Sequence, residues 1–371
     1  EEGKTEEEIR TYMQKTYFAS DEKIDLSIDI AERELEILKK IDYENGYSLY
    51  IGIPFCPTTC LYCSFTSYPL VSWRQKVDSY LDALEKELDY VAVKFGKKHL
   101  NSIYIGGGTP TTLEPYQLDR LIRKIRCSFD LSHCLEFTVE AGRPDSITRE
   151  KLETLKKWDI TRISINPQTM KDETLKIIGR RHTVAQTVES FQLARELGFD
   201  DINMDLIMGL PEESLEDVRD TLEQVKALKP DNLTVHSLAL KRAARLNMFK
   251  EDYKDYKMVN TTEHMNLTAE YAKKMGLEPY YLYRQKSMAG NLENVGYASP
   301  GKAGIYNILI MEEKQTIVAC GAGASTKRVW NEPNPDGTHR IERCENVKDV
   351  AQYIARIDEM IERKQKLFAE E

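Results

Sequence analysis

Residues 48–63 read SLYIGIPFCPTTCLYC, an apolar run that leads at once into three closely spaced cysteines. The apolar part suits a strand that is buried on both faces, because such strands carry apolar side chains at nearly every position. Further runs of this kind occupy residues 102–107, 135–140, 162–167, 202–209 and 233–240. The same type of buried strand is therefore predicted six times along the chain.

Helical stretches separate these runs. Residues 77–91 and 118–125 each carry an apolar stripe at helical spacing, and Thr148 and Ser214 are suitable helix caps. Strands that alternate with helices predict right-handed crossovers and a parallel sheet. The repeat covers residues 48–240, fewer than the roughly 250 residues of a closed eight-unit barrel. We therefore predict an α/β fold, an open six-unit (β/α)6 partial TIM barrel with an α+β C-terminal region.

The domain organisation follows from this pattern. We predict an N-terminal helical segment at residues 1–45, the partial barrel at residues 46–240, and a C-terminal region at residues 241–371 that covers the substrate. Within the last region, IYNILI (305–310) and QTIVACG (315–321) are predicted strands, and residues 347–369 are predicted to be helical.

Composition excludes several classes of protein. Apolar residues make up 41% and charged residues 30% of the chain, as in ordinary globular proteins. The net charge is −9 without a long Lys/Arg block, which argues against a nucleic-acid partner. No apolar run is long enough for a membrane span, and the acidic start EEGKTEEEIR is unlike a secretory signal. We expect a cytoplasmic protein; the first residue is Glu1 rather than Met, which is compatible with a missing upstream segment.

The seven cysteines indicate a metal site rather than a disulfide framework, because their number is odd and three of them lie within eight residues. Cys56, Cys60 and Cys63 follow the first strand directly. Thiolates bind iron–sulfur clusters well, and three of them would leave one iron of a four-iron cluster open to a chelating small molecule. A structural zinc ion is the other interpretation, although it would more naturally use four ligands in paired Cys-x2-Cys spacing.

Polar residues follow the other predicted strands. The run GGGTP (106–110) ends the second strand, and its backbone can approach a ligand closely and present N–H groups to it. Polar side chains in such places are costly unless they serve a partner. The residues concerned are Glu140, Gln168, Arg180 and Asp205. Because the carboxyl ends of barrel strands share one face, we predict that these side chains bind one polar ligand.

The cysteine spacing, with Tyr62 just before the third cysteine, resembles the radical S-adenosylmethionine (SAM) superfamily. The chain is most similar to its oxygen-independent coproporphyrinogen III dehydrogenase group, which also includes haem chaperones and radical methyltransferases. The resemblance covers about residues 48–330 and is carried by Tyr50, IPFC, GGGTP, the Gln168–Arg180 pair, IGRRHT and DLIMGLP. Residues 280–298 and VACGAGAS (318–325) look most like the variant of Gram-positive anaerobes.

The resemblance implies two cofactors and a set of residues for them. Cys56, Cys60 and Cys63 would hold a 4Fe–4S cluster. Tyr50, Gly107, Gly108 and Thr109 would bind the adenine and amino end of SAM. Arg180 would bind its carboxylate, Gln168 and Asp205 would lie on its ribose side, and Glu140 belongs to the same polar shell.

The resemblance also implies an activity. A low-potential donor such as flavodoxin or ferredoxin would reduce the cluster, and SAM cleavage would give a 5′-deoxyadenosyl radical. The radical would abstract hydrogen from a propionate of coproporphyrinogen III, the tetrapyrrole substrate, and loss of carbon dioxide and one electron would leave a vinyl group. The substrate propionates need cationic partners, for which the candidates are Arg242, Arg245, Arg284, Lys302 and Arg328.

Two rival functions use the same scaffold. In a haem chaperone, His182 or His236 could serve as an axial ligand. A radical methyltransferase would instead add mass to a tetrapyrrole or heterocycle. The well-studied bacterial dehydrogenase has a further cysteine two residues after the third cluster ligand; here that position is Phe65, and the chaperone branch also has an aromatic residue there.

Overall fold

The fold was examined in a computed structural model that describes residues 3–239, 241, 244–284, 292–335 and 338–369. The strands are β1 (Gly46–Ile53), β2 (Phe55–Cys56), β3 (Tyr68–Pro69), β4 (His99–Gly107), β5 (Glu136–Glu140), β6 (Arg162–Ser164), β7 (Ile202–Met208), β8 (Asn232–Ser237), β9 (Glu278–Tyr283), β10 (Asn294–Ala298), β11 (Thr316–Cys320), β12 (Ser325–Pro333) and β13 (His339–Glu345).

The helices are α1 (Glu6–Tyr17), α2 (Asp21–Leu38), α3 (Leu70–Trp73), α4 (Val77–Phe95), α5 (Pro115–Ser128), α6 (Arg149–Lys157), α7 (Asp172–Ile177), α8 (Val184–Glu196), α9 (Leu215–Leu228), α10 (Arg245–Met248), α11 (Thr262–Lys274), α12 (Ile305–Met311), α13 (Val350–Ala355) and α14 (Ile357–Leu367). The hydroxyls of Thr148 and Ser214 cap α6 and α9, as the sequence predicts.

Six strands form the centre of the sheet in the order β1-β4-β5-β6-β7-β8, and every adjacent pair is parallel. Helices α4, α5, α6, α8 and α9 lie between successive strands along the chain. Leu49, Ile103, Val139 and Ile163 are completely buried in these strands. The predicted six-unit α/β arrangement is therefore confirmed, and all six strands end at the same face.

The C-terminal region extends this sheet at both edges. Strand β11 pairs in parallel with β1 and continues into β12 and β13, whereas β10 pairs antiparallel with β8 and continues into β9. Among the described residues the end strands β13 and β9 do not pair with each other, so the sheet is open. The domain boundary at residue 240 stays a prediction, because strands on both sides of it share one sheet.

One predicted strand is a helix. IYNILI (305–310) lies within α12, where Tyr306, Ile308 and Leu309 are buried. They belong to a small apolar cluster that includes Tyr280 and Tyr281 of β9. A short apolar run carries no periodicity that separates a buried helix from a buried strand, so the strand prediction was wrong. QTIVACG (315–321), in contrast, forms β11 as predicted.

The N-terminal segment forms α1 and α2, as predicted, and α2 packs against β9. Among the helices that the structure describes, none combines the length and apolar character that a bilayer crossing needs.

A buried ion pair fastens the C-terminal helices to the barrel. Glu87 of α4 accepts hydrogen bonds from Lys364 Nζ at 2.6 Å and Asn346 Nδ2 at 2.8 Å, and its other oxygen accepts from Tyr353 at 2.6 Å and from the Gly321 N–H at 2.8 Å. Glu87 and Lys364 are both 0% exposed. Burial alone would lower the pKa of Lys364, but the charge and hydrogen bond of Glu87, together with the nearby Cys320 and Cys344, outweigh burial and raise it.

Replacing Lys364 by Met should lower the free energy of unfolding by about 3–5 kcal/mol, because it leaves the Glu87 charge buried without its cation. The double variant Glu87→Gln with Lys364→Met should recover part of that loss, since it removes both charges. Urea denaturation of the two variants measures the difference. Equal stability of Lys364→Met and the unaltered protein would contradict the role of this ion pair.

Candidate active site

A cavity of about 350 Å³ opens at the carboxyl ends of the central strands. Every residue that the sequence analysis assigned to the cluster or to SAM lines it: Tyr50, Cys56, Cys60, Cys63, Gly107, Gly108, Thr109, Glu140, Gln168, Arg180 and Asp205. They come from positions scattered over 150 residues of chain, and the parallel sheet brings them together because its strands all end at one face.

The cysteine loop is pinned at both ends. Strand β2, which contains Cys56, pairs with β3. The Leu61 N–H donates to the carbonyl of Ile178 at 2.9 Å, and the Leu61 carbonyl accepts from the Leu246 N–H at 2.9 Å. Cys56 and Cys60 are buried and Cys63 is half-buried. All three are free thiols beside one cavity.

The glycine run packs directly against the cysteine loop. A Cβ on Gly108 would lie 2.6 Å from the carbonyl oxygen of Phe55 and 3.0 Å from Cys56 Sγ, so only glycine fits there. The N–H groups of Gly108 and Thr109 donate to the carbonyls of Ile53 and Phe55, each at 2.7 Å. The expectation that these two N–H groups face a ligand is therefore wrong: they hold the loop.

A half-buried carboxyl group, that of Glu140, lines the cavity. Glu140 accepts hydrogen bonds from the hydroxyl of Tyr104 and, at 3.0 Å, from Asn166 Nδ2. Burial, reinforced by the nearby charge of Asp205, raises the pKa of Glu140 to about 7. The site therefore holds an acid that a cationic ligand would ionise near neutral pH.

Asp205 lines the same cavity as this acid. Asn203 Nδ2 donates to its carboxylate at 2.7 Å, and His236 Nε2 lies 3.6 Å from it. Burial alone would raise the pKa of Asp205, but His236 and Asn203 together lower it. The pKa values of the two carboxyl groups are thus shifted in opposite directions.

Gln168 has a strained backbone, and Arg180 has a buried polar atom that lacks a hydrogen-bond partner among the described residues. Gln168 has a left-handed backbone, φ 68°, which is unfavourable for a non-glycine residue and is concentrated at functional sites. Arg180 is buried and donates to the carbonyls of Asn166 at 2.5 Å and Gly142 at 3.2 Å. Among the described residues its Nε has no hydrogen-bond partner. Unpaired buried polar atoms cost about 1–3 kcal/mol, which a polar ligand would recover.

The arrangement of the thiols suits a cluster. Within the part of the chain that the structure describes, no three His, Cys, Asp or Glu side chains converge as the ligands of a single metal ion do. In a cluster each thiolate binds a separate iron, so the sulfurs can lie farther apart. The cysteine loop therefore fits a cluster better than the zinc ion that the sequence left open.

The sequence analysis assigned no role toward the cluster or SAM to several residues that line the cavity: Tyr104, Arg143, Asn166, His236, Tyr281 and Tyr283. Arg143 stands in GRPD, three residues after Glu140. This position indicates that it lies near the site but does not show which group it contacts. His236 was considered only as a haem ligand. Tyr104 comes from β4, and Tyr281 and Tyr283 come from β9, which belongs to the C-terminal region that was expected to cover the substrate.

Five cations were proposed to bind the substrate propionates, and two of them lie away from the cavity. Lys302 donates to Asp231 at 2.6 Å at the amino end of β8, which is the opposite end of the barrel. Arg328 is buried on β12, donates to the carbonyl of Leu367 at 2.5 Å and lies 3.7 Å from the Trp330 ring. These two assignments are wrong. Arg245 and Arg284 are exposed, and Arg242 lies outside the described residues.

Comparison with known proteins agrees with this geometry. Residues 50–225 match the model of the radical SAM superfamily. The oxygen-independent coproporphyrinogen-III oxidase-like protein HemZ of Bacillus subtilis is 42% identical over 98% of this chain and 72% of its own length. The haem chaperone HemW of B. subtilis is 42% identical, and the oxygen-independent coproporphyrinogen III oxidase of Escherichia coli is 34% identical; the matched regions cover 50% and 42% of these proteins.

A solved structure supports the fold. The radical SAM coproporphyrinogen III oxidase HemN of E. coli superimposes with a TM-score of 0.66 at 23% identity, covering 88% of this chain and 73% of that one. The chain therefore belongs to the radical SAM superfamily and, within it, to the oxygen-independent coproporphyrinogen-III oxidase-like proteins. Its cofactors are a 4Fe–4S cluster and SAM.

Replacing Gly108 by Ala should prevent cluster assembly, because the new Cβ would displace the loop that carries Cys56. Iron and sulfide content after anaerobic reconstitution measures this, and Cys60→Ala should show the same loss. Gly276→Ala, at a glycine with open space around it, and Cys127→Ala, an exposed cysteine, should assemble normally. A full complement of iron in Gly108→Ala would contradict the packing argument.

Proposed function

We propose that this protein is a radical SAM oxidoreductase that converts propionate groups of coproporphyrinogen III to vinyl groups without oxygen, as a step in haem biosynthesis. The observation that carries the proposal is the cavity lined by three thiols, two carboxyl groups and three buried arginines, Arg143, Arg162 and Arg180. The similarity to HemZ over 98% of the chain supports the choice of substrate.

In this proposal Cys56, Cys60 and Cys63 bind three irons of the cluster. When bound, the cluster and SAM supply an electron and an adenosyl carbon able to remove a hydrogen atom. The protein holds these groups in place and keeps water away from them. The cysteine loop contributes to the exclusion of water, because two of its three thiols, those of Cys56 and Cys60, are buried.

The SAM contacts are proposed from position and environment. Arg180, with its free Nε, would bind the carboxylate. Gln168 and Asp205 would lie on the ribose side, with Glu140 close by. Tyr50 would contact the adenine, and it is well held, because its ring stacks 6.3 Å from those of Tyr104 and Tyr306.

Gly107, Gly108 and Thr109 would shape the wall at the amino end of SAM. Since the N–H groups of Gly108 and Thr109 are occupied, their contribution is close backbone approach rather than donation. The hydroxyl of Thr109 lies 3.4 Å from Cys56 Sγ, so this wall also adjoins the first thiol.

The substrate would enter from the rim. An adjoining cavity of about 180 Å³ is lined by Phe65, His236, Lys241 and Tyr283, among others. Phe65 is 70% exposed, which leaves an aromatic face free to contact a macrocycle. Lys241 and Arg245 would hold propionates that are not reacting.

The partners follow from the chemistry proposed. A low-potential carrier such as flavodoxin or ferredoxin would supply the electron, and we expect no nucleic-acid partner on a chain of net charge −9. We propose a cytoplasmic location, because the cysteines that the structure describes are all free thiols, as expected in a reducing compartment.

A haem chaperone is the second candidate function. His236 lines the open cavity, whereas the His182 side chain is completely buried, so only His236 of the two could serve as an axial ligand. Its neighbour Asp205 could orient the ring, as carboxylates do for metal-bound histidines. The 42% identity to HemW over half of the chain favours this alternative over the methyltransferase.

Arg180→Ala should weaken SAM binding about thirtyfold, or ~2 kcal/mol, because it removes a charge-assisted partner of the carboxylate. Equilibrium binding to anaerobically reconstituted protein measures the change, and iron content should be unaltered. The control is Arg181→Ala, which removes the exposed neighbouring arginine and should bind SAM normally. An unchanged affinity in Arg180→Ala would remove this residue from the site.

Reduced protein should form 5′-deoxyadenosine faster when coproporphyrinogen III is present, with each propionate losing one carbon dioxide and two hydrogens. The reason is geometric, since hydrogen abstraction needs the propionate carbon about 3–4 Å from the adenosyl carbon. Mass spectrometry of both products after anaerobic incubation with SAM and dithionite measures this, and Cys60→Ala should form neither product.

The rival functions predict different outcomes of the same incubation. A mass gain on the tetrapyrrole would indicate the methyltransferase. Tight haem binding that His236→Ala abolishes, together with a deoxyadenosine rate that coproporphyrinogen does not change, would indicate the chaperone. Either result would overturn the decarboxylase.

A further inference from the structure

Arg143 lies directly behind the second cysteine of the loop. Its side chain is 3% exposed. Nη1 lies 3.5 Å from Cys60 Sγ and also donates to the carbonyl of Thr58 at 3.3 Å, while Nη2 donates to the hydroxyl of Thr58 at 3.1 Å. One guanidinium therefore contacts a thiol and the backbone of the same loop.

The guanidinium is held from behind by a carboxylate. Arg143 Nε and Nη2 donate to the two oxygens of Asp145 at 2.9 and 2.7 Å, the bidentate geometry that fixes an arginine most firmly. His182 Nδ1 lies 3.8 Å from the same carboxylate and is completely buried. Burial alone would raise the pKa of Asp145, but His182 and Arg143 keep it well below its usual value.

We propose that Arg143 is a positioning residue that sets the reduction potential of the cluster by donating an N–H···S hydrogen bond to Cys60, with Asp145 holding it in line. The inference rests on the assignment of Cys60 as a cluster ligand in the proposed function. It adds a residue that controls how readily the cluster accepts its electron.

The sign of the effect follows from charge. Reduction adds negative charge to the cluster, and a cation with an N–H group on a ligand sulfur stabilises that charge, which raises the potential. Burial strengthens the interaction, because the low local dielectric screens it weakly. The Thr109 hydroxyl near Cys56 is neutral, so its effect should be smaller.

Arg180 shares the cavity but differs in its contacts. Its Nη groups donate to two backbone carbonyls and to the hydroxyl of Tyr62, at distances of 2.5 to 3.2 Å. Among the hydrogen bonds of the described residues, the one from a guanidinium to a loop thiol comes from Arg143. Arg143 and Arg180 therefore serve different ligands in this proposal.

The test is the midpoint potential of the reconstituted cluster in Arg143→Gln, measured by redox titration with electron paramagnetic resonance. At a fixed applied potential the ratio of reduced to oxidised cluster should fall about tenfold, which corresponds to about 59 mV for one electron. The matched control is Arg328→Gln, which also removes a guanidinium that is 3% exposed, but one that donates to the Leu367 carbonyl. Its cluster should titrate as in the unaltered protein.

Asp145→Asn is the second variant, and it decides the matter if Arg143→Gln assembles no cluster. It keeps the guanidinium and removes the negative charge beside it, so the potential should rise. A merely structural role would instead leave the potentials unchanged or shift both variants in the same direction, and either result would overturn the proposal. Absence of a cluster from the unaltered protein would refute the ligand assignment itself.

Discussion

The contact between the glycine run and the cysteine loop is the constraint on which the site depends. Gly108 meets the backbone of Ile53 and Phe55 and the sulfur of Cys56 at distances that leave no room for a side chain. Two backbone hydrogen bonds of 2.7 Å close the same contact. The ends of β1 and β4 are thereby joined, and the thiols are presented to the cavity by backbone geometry rather than by side-chain packing.

Other strands and loops of the barrel place both carboxyl groups and arginines around that loop. Glu140 and Asp205 lie on one side, where burial and neighbouring groups drive their pKa values in opposite directions. Arg143 and Arg180 lie close to the thiols. Arg143 is held by the carboxylate of Asp145, and Arg180 is held by the carbonyl of Asn166. A cavity with this distribution can accommodate a zwitterionic molecule, whose ends carry opposite charges, with little rearrangement.

The C-terminal region completes both edges of the sheet and one wall of the cavity. Strand β9 brings Tyr281 and Tyr283 to the mouth, and β11 continues the sheet beyond β1. The ion pair of Glu87 and Lys364 joins residues 277 positions apart and also holds the Gly321 N–H. The loop after β11 is thus tied to the same helix, α4, that packs on the first strand's side of the barrel.

Much of this could be predicted from the sequence, because the determining patterns are local. Continuous apolar runs specified the six buried strands, the cysteine spacing specified the cluster loop, and the polar residues at strand ends were bound to meet once those strands were parallel. The tertiary structure alone decided the rest. IYNILI forms a helix that packs with Tyr280 and Tyr281 of β9, and a short apolar run does not distinguish such a buried helix from a buried strand. Lys302 and Arg328 lie away from the cavity, and Arg143 contacts Cys60. These positions could not be predicted, because they depend on how elements far apart in sequence pack together, which no local pattern encodes.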